Sequence, residues 1–368
     1  MGYIKGNQSN ILNDFKIKIE GRDITQSQLI SLTIKWSMED MKVLGNMVFI
    51  DETSLVERIP IRGGNKVKIE LEDSEGKSMS QEMDIVSVSY TRAQSQSNVV
   101  TLMLMDSTST TALNSFKGIG WSNVNMEGIV NSLITPLAKN KTPSFGIPTE
   151  PLKDFIIPLN MSLYKLTTWL KDNLNLFVFQ TRDSLVTKSL GEIFDKSSDT
   201  EEYVYKPNNQ GYRRAIYEYS TNYGNKVEEN SLQGDSKMFS FDPLNKGLKE
   251  TSQSFSNVVD NFSKGLPAIK APSIGSKYYY MSDQIVKKAS ESLIAKNAYK
   301  NVKLELLVAG RFSVNVGDNI KVNLASLITE KDPEPNISGD WLVSEITDII
   351  NPPDFIQRMV LTRANFAT

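Results

Sequence analysis

The chain has 368 residues, which exceeds the size of one ordinary hydrophobic core, so two to four domains are expected. Its 41 basic and 43 acidic side chains give a net charge of −2, which favours neither a nucleic acid nor an anionic membrane as a tightly bound partner. No run of eighteen apolar residues occurs and the first fifteen residues are polar, so we expect a soluble chain without a signal peptide.

The chain contains neither Cys nor His, and this absence removes several kinds of chemistry at once. Disulfides, thiol nucleophiles and thiolate metal sites are excluded because each needs Cys. Ser-His-Asp hydrolysis, histidine general-base catalysis and histidine metal ligation are excluded because each needs His. Only chemistry based on carboxylates, Lys, Tyr or Ser remains.

The first 105 residues contain six short segments in which apolar and polar residues alternate. They are residues 15–20, 32–38, 46–50, 67–72, 83–90 and 99–105. Short turns separate most of them, and a helical turn is expected at 54–58. Six such strands predict a closed antiparallel barrel or a sandwich.

The apolar period then changes from two to about 3.6, which is typical of an α-helix. The apolar stripe of this helix consists of Met126, Ile129, Val130, Leu133 and Leu137. Asn123 or Asn125 is its expected N-cap, Glu127 lies in its first turn, and Pro136 should end or bend it.

A stretch rich in Pro, residues 143–158, leads to a second predicted helix. The apolar stripe of this helix consists of Leu163, Leu166, Leu170 and Leu174. Asn160 or Ser162 would cap it, and residues 176–180 and 184–187 then predict a hairpin. Residues 108–200 are therefore expected to form a small α+β domain.

The strand pattern returns at 203–205 and 215–219, before a long polar region at 222–253 that predicts hairpin arms or a mobile insertion. A third helix is predicted at 282–300 and a strand at 302–308. The expected organisation is a first barrel at 1–107, the α+β domain at 108–200, and a second barrel split into 201–245 and 300–368. Residues 246–299 are the insertion between its two pieces.

The last sixty residues carry the most specific pattern. Gly317 and Asp318 form a turn before an alternating strand that ends at Leu324, and strands at 339–347 and 355–364 follow. These features, together with Gly310, Phe312, Trp341, Leu361-Thr-Arg363 and the earlier Trp169-Leu170, resemble the central hub protein of contractile-tail baseplates. The first part of the type VI secretion spike protein VgrG is similar. The resemblance covers nearly the whole chain in the order of its elements.

The resemblance implies a fold that is mainly β within an α+β class, with two tail-tube-like barrels, the small α+β domain and an insertion. It implies a homotrimer whose six barrels match a hexameric tail tube or a tube-initiating ring, and which carries a membrane-piercing spike. Baseplate wedge and tape-measure proteins are further candidate partners. Because Thr368 closely follows the last strand, we expect the spike to be a separate chain.

The implied location is the baseplate of a virion tail, assembled in the host cytoplasm, with no direct insertion into a membrane. DNA would pass through the ring without specific binding, because a basic lining would hold phosphates and the chain is mildly acidic. Another barrel-built tail component, such as a tube-initiating or distal tail protein, and a tail-associated cell-wall hydrolase are the alternatives.

We predict no enzyme activity, no catalytic residue, no cofactor and no metal site. Ser162 and Lys165 match an S-x-x-K pattern of acyl enzymes, but its companion motifs are missing and a helix cap explains Ser162. Acidic pairs that a glycosidase or a loosely bound cation would need occur only in polar segments where solvated side chains are expected. These pairs are Asp51-Glu52, Glu201-Glu202 and Asp332 with Glu334.

Two aromatic clusters stand out, Tyr278-Tyr-Tyr280 and Gly118-Ile-Gly-Trp121. Packing within the fold is the simpler interpretation of both, and a subunit interface is the functional one, since Tyr and Trp are enriched there. Stacking on a glycan or a base is a further alternative. The two glycines of the second cluster lack the third glycine of a nucleotide-binding loop.

Overall fold

The computed structural model describes most of the chain. The described residues are 11–52, 55–59, 61–92, 98–138, 141–146, 151–157, 160–194, 202–205, 214–223, 236–242, 247–253, 276–279, 292, 299–300, 302–325, 334 and 337–363. The fold is mainly β, with helices concentrated between residues 107 and 194. This confirms the predicted fold class.

Seven strands form the first barrel, and all six predicted strands are among them. They are β1 (Asp14–Ile19), β2 (Arg22–Ile24), β3 (Leu29–Ser37), β4 (Asp40–Asp51), β5 (Lys66–Glu72), β6 (Ser78–Arg92) and β7 (Asn98–Asp106). Each neighbouring pair in the order β3-β4-β7-β6-β5-β1-β2 is antiparallel. The predicted helical turn is α1 (Leu55–Arg58).

The alternation that predicted these strands also sets their register. Ile17 on β1 lies opposite Ile24 on one side and Ile69 on the other, and all three side chains are buried. A shift of one residue would turn every apolar side chain towards water. Since burial of apolar surface contributes about 25 cal/mol per Å², the hydrophobic pattern fixes the pairing of these strands.

The middle of the chain forms an α+β unit. Its elements are α2 (Ser107–Asn114), β8 (Ile119–Asn125), α3 (Met126–Leu133), β9 (Thr142–Gly146), β10 (Pro151–Ile157), α4 (Leu163–Leu174), β11 (Leu176–Gln180), β12 (Ser184–Ser189) and α5 (Leu190–Phe194). Strands β8 and β10 pair alone, whereas β12 lies between β11 and β9. The apolar stripes of α3 and α4 pack together in a second hydrophobic core.

Both predicted helix starts are confirmed. Of the two candidate N-caps for each helix, the structure has Asn125 for α3 and Ser162 for α4. The Asn125 side chain accepts a hydrogen bond from the Gly128 amide at 2.8 Å, which caps α3. The Ser162 hydroxyl accepts one from the Lys165 amide at 3.2 Å, which caps α4. Helix α3 ends before Pro136, and a 3₁₀ turn (Thr135–Leu137) follows it.

Nine further strands lie within the described residues after α5. They are β13 (Tyr203–Tyr205), β14 (Ile216–Tyr223), β15 (Ser236–Asp242), β16 (Gly247–Gln253), β17 (Ser276–Tyr279), β18 (Val302–Ala309), β19 (Asn319–Leu324), β20 (Gly339–Asn351) and β21 (Asp354–Arg363). Six of them form the second barrel in the order β14-β18-β21-β20-β19-β13. A bridge between Val204 and Ala215 joins β13 back to β14 and closes this ring.

The remaining strands form a separate small sheet in which β15 pairs antiparallel with β16 and parallel with β17. The antiparallel pairing of β15 with β16 confirms the prediction of hairpin arms within the polar region. The helix predicted at 282–300 lies outside the described residues, apart from residues 292, 299 and 300.

Strand β20 joins the two barrels into one sheet of thirteen strands. Its residues Gly339 to Leu342 pair with β19 of the second barrel, and residues Glu345 to Ile350 pair with β3 of the first barrel. Ser344 lies between these two segments, at an irregularity in the pairing with β21. The buried side chains of both barrels consequently form one continuous core.

Candidate functional site

The segment in which β20 pairs with β3 is the only strand pair that joins the two barrels within the described residues, and we call it the seam. Its two faces differ. On the outward face, Lys35 of β3 forms an ion pair with Glu345 of β20 at 2.8 Å. On the inward face, Trp36 and Asp348 are buried. The inward face therefore places a carboxylate inside the hydrophobic core.

Asp348 is the centre of a buried polar network at the seam, and its side chain is fully inaccessible to solvent. Its carboxylate accepts hydrogen bonds from Trp36 Nε1 at 3.2 Å and from Gln357 Nε2 at 2.7 Å. Arg182 Nη2 donates to both carboxylate oxygens, at 2.9 and 3.1 Å. The carboxylate therefore binds one residue from the first barrel, one from the second barrel and one from the α+β unit.

Arg182 reaches this position from the tip between β11 and β12. Its guanidinium also donates to the carbonyl oxygen of Val314 and, at 3.3 Å, to Asn315 Oδ1. The guanidinium carbon lies 5.8 Å from the centre of the Trp36 ring and 5.3 Å from that of Phe312. Since a buried charge is tolerated only when paired and hydrogen-bonded, these contacts explain how Arg182 is accommodated.

A second polar network holds the segment between β18 and β19 against the first barrel. The carboxylate of Asp73, also fully buried, accepts hydrogen bonds from the amides of Phe312 at 2.8 Å and Lys77 at 3.0 Å. Arg311 donates from Nη1 to the Ser74 hydroxyl at 2.6 Å. Gln357 connects the two networks, because its amide group also bonds the backbone of Arg311 at 3.0 and 2.8 Å.

Residues of the closing sequence motif surround these networks. Phe312 stacks on Phe355 with ring centres 4.7 Å apart, and a side chain at Gly310 would overlap the Phe355 ring. Gly317 has a φ of +83° and lies against Phe179 of the α+β unit. The motif glycines thus permit close packing and a left-handed backbone, which other residues disfavour.

The end of the motif forms a separate contact at the far end of β20. Trp341 Nε1 donates to the carbonyl oxygen of Ile337 at 2.8 Å, and the Arg363 guanidinium carbon lies 4.1 Å from the centre of the Trp341 ring. Arg363 also donates to the carbonyl oxygen of Ser338 at 3.3 Å. This cation–π contact fixes the last described strand to the turn that precedes β20.

Lys141 lies beside the seam and has unusual electrostatics. Its Nζ donates to the carbonyl oxygen of Thr181 at 2.8 Å and lies 4.9 Å from the centre of the Trp36 ring. Desolvation by burial lowers the pKa of Lys141 to about 8 from its usual 10.5. The acids Asp106 and Asp183 oppose this decrease in the pKa, and Arg182 adds to it.

A cavity of about 190 Å³ lies on the other side of the hairpin tip, between the α+β unit and the turn before β19. Its polar lining includes Asp183, Lys188, Asn315 and Asp318. The described residues contain no group of three or more acidic side chains that is suited to a metal ion. The cavity lies where the tip of the α+β unit and the turn before β19 do not pack against each other.

The outward face of the joined sheet is a second candidate site, because it runs through both barrels. Charged side chains on this face are nearly balanced in sign. On β14, β18, β21 and the seam they are Glu218, Glu305, Glu345 and Asp354, with Lys35, Lys303 and Arg358. The part of the face on β4 and β7 carries no charge from Leu44 to Val48 or from Thr101 to Met105, and Met103 is 58% exposed there.

Ser162 and Asp51, two of the candidate catalytic residues considered from the sequence, each bind the backbone amide of a helix. Ser162 is buried as the cap of α4, while the Lys165 side chain is exposed. Asp51 is buried and accepts a hydrogen bond from the Leu55 amide at 2.6 Å, so it orders α1, whereas Glu52 is exposed. Glu201 and Asp332 lie outside the described residues.

The aromatic clusters are placed only in part. Trp121 lies on β8 and packs against the second core, which supports the packing interpretation for this residue. Ile119 on the same strand is 39% exposed and the nearby Phe116 is 59% exposed. Tyr278 and Tyr279 lie on β17. Among the described residues, no helix is long and apolar enough to cross a membrane.

Sequence reasoning missed the polar residues of the seam, although the sequence contains a signal for some of them. Asp348 falls between Ile346 and Ile350 on the inward face of an alternating strand, and Gln357 falls between Phe355 and Met359. A polar residue at an inward position indicates a buried network. Arg182 has no such pattern, because a charged residue between two strands is normally solvated.

Comparison with known proteins finds relatives through structure only. No family model matches the chain, and no curated protein matches its sequence. A tail protein from Neisseria meningitidis MC58 matches with a TM-score of 0.64 at 11% identity, over 95% of this chain and 96% of that chain. The 43 kDa tail protein of prophage MuSo2 from Shewanella oneidensis matches with a TM-score of 0.66 at 10% identity, over 96% and 98%.

A component of the Escherichia coli type VI secretion system, which has structural similarity to the T4 tail proteins gp27 and gp5, also matches. The TM-score is 0.55 at 8% identity, over 95% of this chain and 76% of that chain. Both barrels and the α+β unit are therefore included in the similarity. The resemblance to baseplate hub proteins is confirmed at the level of the fold, and the chain has the fold shared by these tail proteins and the type VI secretion component.

Proposed function

We propose that this protein is a structural component of a phage tail baseplate, namely the hub subunit. As a homotrimer it would join the tail tube to a central membrane-piercing spike. The observation that carries the proposal is the match of the whole fold to tail proteins, over at least 95% of this chain and of each of the first two relatives. The proposed location is the baseplate of a virion tail.

The architecture supports a mechanical role. Two barrels in one sheet give each chain two similar units, and three chains would then present six barrels to a hexameric tube. The seam ties these barrels to each other and to the α+β unit through buried, charge-assisted hydrogen bonds. Such bonds are roughly twice as strong as neutral ones, so the unit suits the transmission of force.

The outward face of the joined sheet supports the passage of DNA. We assign the part of this face formed by β18, β21, β20, β3, β4 and β7 to the wall of the proposed channel. This part extends through both barrels and has no excess of basic side chains. A wall rich in Lys and Arg would release counterions and bind the phosphate backbone tightly. A wall with balanced charge and neutral side chains such as Thr33, Asn46 and Thr101 would let DNA slide.

The first experiment tests assembly. Light scattering of the purified protein should give a mass near three times 41.2 kDa, alone or with the spike protein. Mixing experiments should show binding to both the spike protein and the tube or tube-initiating protein. A monomer that binds neither would contradict the hub assignment. Binding to tube proteins without the spike would instead favour another barrel-built tail component.

The second experiment tests the channel wall. Lysine substitutions at Thr33, Asn46 and Thr101 add positive charge to the outward face and should slow DNA ejection from assembled particles in low salt. The matched control adds the same charge, with lysine at the exposed residues Asn13, Ser78 and Ser80. These residues lie beside β5, away from β3, β4 and β7. Equal ejection rates for the two sets of variants would contradict the assignment of this face, while leaving the hub assignment intact.

A further inference from the structure

We infer that the tip between β11 and β12 is a latch that fixes the orientation of the two barrels relative to each other. The tip, residues Thr181 to Ser184, belongs to the α+β unit, yet its Arg182 contacts both barrels. The inference concerns the mechanics of a single chain, so it does not depend on the tail component to which the chain corresponds.

The first step concerns what joins the barrels without the latch. Among the described strands, only the six-residue pairing of β3 with β20 connects the two barrels, and an irregularity at Ser344 precedes it. Smaller attachments lie outside this pairing. Asp73, Ser74 and Glu75 of the first barrel bind the segment that contains Arg311 and Phe312. A bridge between Ile11 and Asp354 adds one more contact. Strands twist and bend readily at irregular positions, and each of the smaller attachments involves a residue outside the strands. We therefore expect one barrel to keep some freedom to rotate against the other.

The second step concerns the segment from Gly310 to Asp318, which we call the connector. It leads from β18 to β19 and contains turns in place of a strand. One end is held at Phe312 by the first barrel through Asp73. The other end is held at Val314 and Asn315 by the α+β unit through Arg182. The connector is therefore clamped by both of the other units.

The third step concerns why Arg182 controls how the connector is held. Its side chain is only 3% exposed, and its guanidinium joins Asp348 on β20 to the connector. Beyond the tip lies the cavity of about 190 Å³ between β12 and the connector, so the tip is not packed on that side. Loss of the Arg182 contacts should then loosen the connector and the seam, while the strand pairing within each barrel is kept.

Orientation can be measured directly because the chain has no Cys. Lys18→Cys on β1 and Arg358→Cys on β21 place one spin label on each barrel, at exposed positions. Labelled protein mixed with an excess of unlabelled protein gives the distance within one chain. In this background Arg182→Met should broaden the distance distribution at least twofold, while Lys165→Met, an exposed change in the same unit, should leave it unchanged.

Hydrogen exchange on the intact protein gives the second readout. Arg182→Met should raise exchange at least tenfold in the connector and in residues 345–350, with β5 and the middle of β18 unaffected. Uniformly faster exchange across both barrels would show that Arg182 only adds stability, and it would overturn the latch. An unchanged distance distribution in a folded Arg182→Met variant would also overturn it.

A milder variant decides the question if Arg182→Met does not fold. Asn315→Ala removes the acceptor for the Arg182 amide and for one guanidinium nitrogen, and it leaves the ion pair with Asp348 in place. Faster exchange confined to the connector in this variant supports the latch. Exchange equal to that of the wild type overturns it.

Discussion

Two regions of the molecule use the same ion-pair chemistry in opposite surroundings. On the outward side of β1, β2 and β5, lysines lie beside acids. The pairs Lys16–Asp14, Lys18–Asp23 and Lys68–Glu70 are 2.6 to 3.5 Å apart, with both partners well exposed. At the seam, the Arg182–Asp348 pair is 3% and 0% exposed. Geometry alone therefore does not distinguish the two regions, whereas burial does.

The difference shows which ion pairs determine how the parts of this chain fit together. Exposed pairs contribute little, because water and salt screen them and long side chains lose entropy when fixed. A buried pair gains more from its partner but has lost its hydration, so each charge depends on the other. The outward pairs keep the sheet soluble, while the seam specifies how three parts of the chain meet.

The largest expected effect comes from breaking the seam pair. Asp348→Ala removes the anion that Arg182 pairs with and the acceptor of Trp36 Nε1, both in a buried position. We expect unfolding in urea to show a loss of about 3–5 kcal/mol, the usual cost of an uncompensated buried charge.

The double variant Arg182→Met with Asp348→Leu is the matched control for that change. It removes both charges and fills the space with apolar side chains, so it should recover most of the lost stability. A loss below about 1 kcal/mol for Asp348→Ala alone would show that the buried pair is no more important than an exposed one.

Close packing at the seam gives the next largest effect. Gly310→Ala places a methyl group where the Phe355 ring already lies, so we expect a loss of about 1–3 kcal/mol from overpacking. Gly191→Ala in α5 is the control, since no atom lies within 4 Å of the added carbon. The control should be neutral or slightly stabilising, because Ala favours a helix. Equal urea midpoints for the two variants would contradict this packing argument.

Lys141 extends the comparison to a third case. It is a charged side chain beside the seam, and no ion pair is found for it among the described residues. Its folded pKa of about 8 lies below its unfolded value, so at pH 7 the protonated amine opposes folding. Lys141→Met should stabilise the protein at pH 7 by about 1 kcal/mol, after allowance for the lost hydrogen bond to Thr181.

The pH dependence of that gain follows from the same shift. Between pH 8 and about 10.5 the unfolded wild type binds more protons than the folded state, so the contribution of Lys141 to stability rises with pH. The advantage of Lys141→Met should accordingly shrink between pH 8 and 10 in urea titrations. An advantage that is constant over this range would show that the pKa of Lys141 is not lowered.

Much of the fold was accessible from the sequence, because it rests on local patterns. The alternation at 15–20 and at 67–72 and the leucine stripe of α4 each predicted an element that the structure contains. Helix α2 was missed, since Ser107 to Asn114 has almost no apolar stripe and depends on Asp106, whose side chain accepts hydrogen bonds from the Thr108 and Ser109 amides. The short β2 was missed because three residues show no period.

The seam was not accessible in the same way, because its contacts join residues far apart in the chain. Trp36 and Asp348 are separated by 312 positions, and Arg182 and Asp348 by 166. The inward position of Asp348 on an apolar strand indicates burial, but it does not identify the partner. Alternation likewise predicts each barrel strand, yet it does not show that β20 is shared between two barrels.

The smallest expected effect on stability comes from breaking an exposed ion pair. Lys18→Ala removes one member of a pair with Asp23 whose side chains are 45% and 72% exposed. We expect the urea midpoint to stay within the error of the measurement at moderate salt, because screening already reduces the attraction. Its dependence on salt should be slightly weaker than that of the wild type. A loss as large as that of Asp348→Ala would mean that burial does not separate the two regions, and that charge pairing on the open sheet also helps to specify the fold.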